Sequence, residues 1–243
     1  MPIEAVTFDF WNTLVREDPT VWDRPSDAWR QLLAERGHVT DDATLKAAFD
    51  AGWHAYVANW NANSPFGAVD ALKVMLSNLG VTTDGALTDA LLAVLTDPPS
   101  DRYPTLNPNL IETLGTLRAA HIKVGIVCDV GLTPSTVLRR YLDQQDALEL
   151  FDHWSFSDDV GVYKPDAKIF HHALDGLGGV SPDRTAHVGD LRRTDIVGAQ
   201  ALGITAVRYT GVYDDPVIPD SPVIEGDHVI ADHADLPAVL GLA

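Results

Sequence analysis

A chain of 243 residues with 46% hydrophobic residues, and with glycine and proline spread through it, has the composition of a globular protein: one large domain, or one domain with an insert. Its 35 acidic residues against 17 lysines and arginines give a net charge of −18, which disfavours nucleic acid and anionic membranes as partners and favours solubility. One cysteine, Cys128, excludes an internal disulfide. No stretch is long and apolar enough to span a bilayer and the N-terminus lacks a basic-then-apolar pattern, so a cytoplasmic location without membrane contact is expected.

The first element is an apolar run, Ile3-Glu4-Ala5-Val6-Thr7-Phe8, that predicts a buried strand ending at Asp9. In open α/β sheets ligands bind outside the carboxyl ends of the strands, so Asp9 is a candidate nucleophile or metal ligand. An aspartate at a strand end is also a common turn or cap residue.

Residues from about 19 to 100 read as helical. Ser26 opens a helix carrying Trp29, Leu32 and Leu33 that closes at Gly37, and Asp41 or Asp42 opens a second with Phe49, Trp53, Tyr56 and Trp60. A third is expected from about Pro65 to Gly80, and a fourth from about Asp84 to Thr96, broken by Asp97-Pro98-Pro99-Ser100. Trp53, Tyr56 and Trp60 share one helix face, as core residues or, with Trp22, Trp29, Arg24 and His54, as the lining of a substrate pocket.

From Asn107 helices alternate with short apolar strands, the pattern of a parallel sheet built from βαβ units. Strands are expected at Lys123–Cys128, Phe151–Phe156, Arg184–Asp190, Ile204–Arg208 and His228–Ile230, with helices around Leu110–Leu117, Val137–Leu138, Ala167–Leu177, Thr194–Leu202 and Leu236–Leu240. The first strand therefore belongs to this sheet, and the expected organisation is a Rossmann-like α/β core of residues 1–15 and 101–243 with an all-helical insert of residues 16–100.

Three later stretches carry further candidates. In Gly189-Asp190-Leu191-Arg192-Arg193-Thr194-Asp195 two carboxylates bracket a strand-to-helix turn. With Asp9 they offer the oxygen ligands that Mg²⁺ prefers, although each is equally at home as a helix cap or turn residue. Lys164, in Tyr163-Lys164-Pro165-Asp166, is held extended by the following proline, and as a compact cation it could hold a nucleophile and a phosphate oxygen. Cys128, before Asp129-Val130-Gly131, ends a strand whose exit amides could form an anion nest.

The stretch Phe8-Asp9-Phe10-Trp11-Asn12-Thr13-Leu14 resembles the first motif of the haloacid dehalogenase superfamily, Asp-x-Asp-x-Thr, and Lys164-Pro165-Asp166 and Gly189-Asp190 with Asp195 resemble its third and fourth. The resemblance covers nearly the whole chain. It implies a helical cap over the site, Asp9 as nucleophile, and Lys164 as charge stabiliser. It also implies Mg²⁺ held by Asp9, the Trp11 carbonyl and Asp190, with Asp195 as a ligand or a partner of the ligands. Asn12 and Thr13 would set the loop, and Asn12, Thr13, Asp129, Trp53 and Trp60 are the substrate-binding candidates.

Two positions depart from the pattern. Trp11 stands where the phosphatases of the superfamily carry a second aspartate as acid and base, and an indole N–H can serve as neither. Cys128 stands where a Ser or Thr hydroxyl is usual, and a thiol is a much weaker donor. Three functions remain open. One is Mg²⁺-dependent phosphoryl hydrolysis of a small, anionic organic phosphate whose leaving group needs little protonation, such as an acyl phosphate, or for which the substrate or the cap supplies the missing proton. The second is metal-independent dehalogenation of a 2-haloacid, whose enzymes carry Tyr at the Trp11 position. The third is a degenerate site kept for ligand or partner binding. Monomer and homodimer are both compatible with the sequence.

Overall fold

The computed structural model describes residues 2–16, 25–97, 100, 103–217 and 224–242. Trp22 and Arg24 lie outside the described residues. The described parts form two compact units, one within Met1–Arg16, Pro104–Asp129 and Arg139–Ala243, the other within Glu17–Tyr103 and Val130–Leu138.

The first unit is built on six parallel strands: β1 (Ala5–Phe8), β4 (Lys123–Cys128), β5 (His153–Phe156), β6 (Thr185–Gly189), β7 (Thr205–Tyr209) and β8 (His228–Ile230). Their order across the sheet is β5-β4-β1-β6-β7-β8. The chain thus winds outward from β1 through β4 to β5, then returns to β6 on the other side of β1. The loops leaving β4 and β6 diverge there and open a crevice at the carboxyl end of β1, immediately before Asp9. Every residue of β1 and β6 is buried, the polar Thr7, Thr185 and His187 included, as in the centre of a doubly covered parallel sheet.

The helices of this unit are α5 (Leu110–Ala119), α6 (Ser135–Asp143, whose first turn belongs to the second unit), α7 (Ser157–Val160), α8 (Ala167–Gly176), α9 (Val197–Ala201) and α10 (Leu236–Val239). The α/β parallel-sheet expectation is met. Two features were not legible as periodicity. A two-residue antiparallel ladder pairs β2 (Val15–Arg16) with β3 (Thr105–Leu106), too short for any alternation to register. A π-helical turn, Arg192–Ile196, precedes α9.

The second unit contains α1 (Pro25–Ala34), α2 (Asp42–Asn61), α3 (Ala68–Leu79) and α4 (Gly85–Thr96). The side chains of Asp41 and Asp84 cap α2 and α4, accepting from the amides of Thr44 and Leu87 at 2.8 Å each. Helix α3 begins later than Pro65 because Gly67 takes the cap position, its amide bonded to the Asp70 carboxylate at 3.3 Å. The helices α2 and α3 approach so closely that a Cβ on Gly52 would lie 2.4 Å from Met75 Cε. Trp29 is fully buried and donates its indole N–H to Leu91 O at 3.1 Å, so it is core and not pocket lining. Tyr56 is buried between Trp53, which is 46% exposed, and Trp60, with ring centroids 5.3 and 6.5 Å away. His54 is exposed on the same helix. Among the described residues no helix is long and apolar enough to cross a membrane.

Candidate active site

Asp9 leaves β1 with its amide donating to Val188 O at 2.8 Å, so the first residue past the strand is still held by the sheet. Asn12 follows with φ 57, a left-handed conformation that asparagine tolerates better than most residues. This sharp turn lets Asn12 Nδ2 donate to Asp190 Oδ2 at 3.3 Å. Thr13 is buried, and its carbonyl accepts from Asn107 Nδ2 at 2.7 Å and His233 Nε2 at 2.8 Å. Thr13 therefore anchors the loop from behind. Trp11 is partly exposed, its ring edge-on to Phe10 at 5.1 Å.

Across the crevice, Lys164 is almost fully buried and its ammonium donates to Asp9 Oδ1 and, at 2.7 Å, to Asp195 Oδ1. Its backbone amide donates to Asp129 Oδ1 at 2.9 Å. Asp129, considered from the sequence for its amide beside an anion, thus turns its carboxylate to the base of the lysine. Cys128 is fully buried at the end of β4, and burial, with the negative charge of Asp9, pushes its thiol well above the usual range. It stays a protonated thiol and a weak donor.

The π turn brings Asp195 into this group. Its Oδ1 accepts from Lys164 Nζ and from His187 Nε2 at 3.0 Å, and its Oδ2 from the Leu191 amide at 3.0 Å and Thr194 Oγ1 at 3.4 Å. Four donors use the lone-pair sites of one carboxylate. Asp190, buried as deeply, has Asn12 as its side-chain partner among the described residues.

The charges divide the three acids. Burial pushes the Asp9 carboxyl up to about 7, against the pull of Lys164 and with the help of Asp195. Burial and the charges of Asp9 and Asp195 raise Asp190 well above the usual carboxylate range. Burial would raise Asp195 too, but Lys164 and the His187 bond outweigh it and hold Asp195 low. Burial likewise opposes the charge on Lys164, yet Asp195, Asp9 and Asp129 keep it protonated well above the ordinary lysine value. His187, by contrast, is kept neutral by burial.

One oxygen from each of Asp9, Asp190 and Asp195 lies within 4.8 Å of the others. Three carboxylates face one ammonium, which bonds Asp9 and Asp195, and Asp190 is the acid with no cation bonded to it among the described residues. An all-oxygen set short of positive charge fits a hard divalent cation such as Mg²⁺.

Of the residues expected from the sequence, Lys164 bonds Asp9 and Asp195, Asn12 bonds Asp190, the three acids lie together, and Asp129 bonds the Lys164 amide, with Thr13 and Cys128 close by in the chain. Trp53 and Trp60 lie in the other unit, on α2. Arg192, between Asp190 and Asp195 in sequence, binds Glu225 through its guanidinium at 3.1 Å, and its amide donates to Asp215 at 2.8 Å. His187, Thr7, Thr194 and the pair Asn107 and His233 escaped sequence reading. Strand parity offered one signal, since His187 is two residues from Gly189 and shares its face.

The family model of haloacid dehalogenase-like hydrolases matches residues 3–203 of this chain. The glyceraldehyde 3-phosphate phosphatase of Methanopyrus kandleri is 28% identical over 216 residues, spanning 88% of this chain and 87% of that protein. The (S)-2-haloacid dehalogenase 1 of a Pseudomonas species is 26% identical over 223 residues, spanning 87% of this chain and 86% of that protein. Among solved structures, an HAD phosphatase from Thermococcus onnurineus superposes with a TM-score of 0.64 at 24% identity, covering 98% of each chain, a likeness that establishes the shared fold alone.

Proposed function

The chain belongs to the haloacid dehalogenase-like hydrolases, and from that premise we propose that it is a Mg²⁺-dependent phosphoryl hydrolase acting on a small organic phosphate. The observation that carries this reading is the buried cluster of three acids, Asp9, Asp190 and Asp195, in which the one ammonium, that of Lys164, bonds Asp9 and Asp195 and leaves Asp190 without a cation among the described residues. Asp9, Asp190 and the Trp11 carbonyl would hold the cation, which neutralises charge on the phosphoryl oxygens when bound. Asp195 has its acceptor sites filled by protein donors, which favours it as the anchor of Lys164 rather than as a ligand.

Asp9 Oδ then attacks phosphorus, the bond to the leaving oxygen breaks, and an aspartyl phosphate forms that water later opens at phosphorus to return the carboxylate and release phosphate. Lys164 holds Asp9 and faces the charge of the transferring group. Trp11 brings no acid or base, and loss of one typically removes about 10² to 10⁴ in rate. The substrate that fits is therefore one with a stable leaving anion, such as an acyl phosphate, or one that brings its own proton. We assign substrate choice to the helical unit as a cap of residues 16–100, with Trp53 and Trp60 as its candidate contacts.

Dehalogenation is the second reading, because displacement of halide at carbon by Asp9 needs no acid and an aromatic at position 11 suits it. The buried acid Asp190, which displacement at carbon leaves without a use, favours the phosphoryl reading.

The test measures phosphate release from an acyl and an alkyl phosphate, each with Mg²⁺ or with chelator, beside Asp9→Asn. Mg²⁺-dependent release, faster with the acyl phosphate and lost in the variant, is expected. Chelator-insensitive halide release from a 2-haloacid, with no phosphate release, would replace this reading by the second. Neither activity would leave a binding role.

A further inference from the structure

The register of the sheet sets Thr7 of β1 beside His187 of β6, and Thr7 Oγ1 lies 2.9 Å from His187 Nδ1. His187 Nε2 lies 3.0 Å from Asp195 Oδ1. A carboxylate only accepts, so Nε2 carries the proton, and Nδ1 of the neutral ring is left to accept from the Thr7 hydroxyl. Asp195 Oδ1 also receives Lys164 Nζ at 2.7 Å, and the same ammonium reaches Asp9 Oδ1. Asp9 is two residues beyond Thr7, the first residue past β1. The bonds therefore close a ring, Thr7 to His187 to Asp195 to Lys164 to Asp9, that starts on β1 and ends at the residue leaving it.

The ring needs a gap in the sheet surface. A Cβ on Gly189, two residues past His187, would lie 2.3 Å from Asp195 Cγ. With glycine there, the Asp195 side chain lies over β6 and reaches back to His187.

We propose that His187 is a positioning residue for Lys164, holding Asp195 Oδ1 so that the ammonium is aimed at Asp9 Oδ1. The inference rests on the roles given above to Asp9 and Lys164. His187 is fully buried, with both ring nitrogens engaged by Thr7 and Asp195. It therefore acts through Asp195 and not on substrate. Without its N–H, Oδ1 is left with one donor while Oδ2 keeps two, and the carboxylate turns toward the Leu191 amide. Lys164 then loses the anchor that fixes it opposite Asp9.

Two substitutions separate this role from mere packing. His187→Gln keeps an N–H donor near the Nε2 position, and His187→Leu removes it while preserving apolar bulk. With the acyl phosphate and Mg²⁺, His187→Leu should lower kcat by about 10- to 100-fold, the scale of a misaligned reacting group, while KM changes little. His187→Gln should recover most of the loss. Independently of turnover, the ¹⁵N–¹H signal of the Lys164 ammonium should be sharp in the wild type and in His187→Gln, and broadened away in His187→Leu.

A wild-type kcat together with an intact Lys164 signal in His187→Leu would overturn the inference and leave the phosphoryl reading standing. Absence of phosphate release from the wild type would instead sink that reading, and the ammonium signal would then decide the role of His187 alone. Should His187→Leu fail to fold by circular dichroism, Thr7→Val takes its place, since it removes the hydroxyl that orients the ring. Loss of the Lys164 signal in Thr7→Val supports the ring, and its persistence refutes it.

Discussion

Two strands of the same sheet hand their chains to helices at the crevice, and they do so differently. After β6, Gly189 makes room, the π turn folds back, and Asp195 collects four donors. After β4 the exit is mostly apolar, with Cys128 fully buried and Asp129 sending its carboxylate to a backbone amide. Both exits nevertheless converge on Lys164, one at its ammonium and the other at the root of its side chain. The lysine is held from two strands, which fixes a buried cation more tightly than a single ion pair would. The turn that supplies charge decides what the site can do, and the apolar one decides where the lysine stands.

Removing the shared member breaks the comparison most severely. Lys164→Met should cost about 3–5 kcal/mol in urea denaturation, because both acids are left buried without their cation. A loss under about 1 kcal/mol would mean that protonation of Asp9 absorbs the imbalance.

Gly189→Ala attacks the β6 exit alone. Its Cβ meets a side chain already bonded on both oxygens, so Asp195 must move, at about 1–3 kcal/mol for overpacking and with loss of turnover. If stability falls but kcat holds, Asp195 is not the anchor of the lysine. The β4 exit gives a smaller effect. Asp129→Ala strands the Lys164 amide and should cost about 1–3 kcal/mol, whereas Asp129→Asn keeps an acceptor and should stay within about 0.5 kcal/mol. Equal losses in the two variants would show that the Asp129 charge, and not its hydrogen bond, supports the lysine.

The difference between the exits also marks what could be read from the sequence. The alternation of strand and helix after Asn107 placed all five later strands, because buried parallel strands are continuous apolar runs. Asp9, Lys164, Asp190 and Asp195 were legible because the short stretches around them match known motifs and together make one site, although each acid taken alone is an ordinary turn or cap residue. The β6 ring was not, since His187 and Thr7 look like ordinary strand residues until register sets them side by side. The role of the Asp129 carboxylate was equally hidden, because its partner is a backbone amide 35 residues away. Long-range partners are fixed by topology, and periodicity carries no trace of them. Trp29 failed for the opposite reason, as its helix spacing fits a core and a pocket alike and only burial distinguishes them.

The mildest test concerns the third exit, the loop after β1, which the other two embrace. His233 is fully buried, stacked on Tyr209 at 4.4 Å, and donates through Nε2 to the Thr13 carbonyl at 2.8 Å. Burial holds its pKa below the ordinary histidine value. As pH falls below about 6.5, the unfolded chain takes up a proton at this position that the folded chain refuses, so stability declines until the depressed folded value is reached. Above that window the group contributes no slope. His233→Gln keeps a donor for Thr13 but cannot titrate, so its urea midpoint should fall less between pH 7.5 and pH 5.5 than that of the wild type. Acids elsewhere, Asp9 among them, contribute equally to both proteins and cancel in the difference. Parallel curves would mean that His233 is protonated as readily folded as unfolded. The carbonyl of Thr13 would then be held by the neutral ring above about pH 6.5 and by a cation below it, so that charge would tie down the loop after Asp9 only in acid.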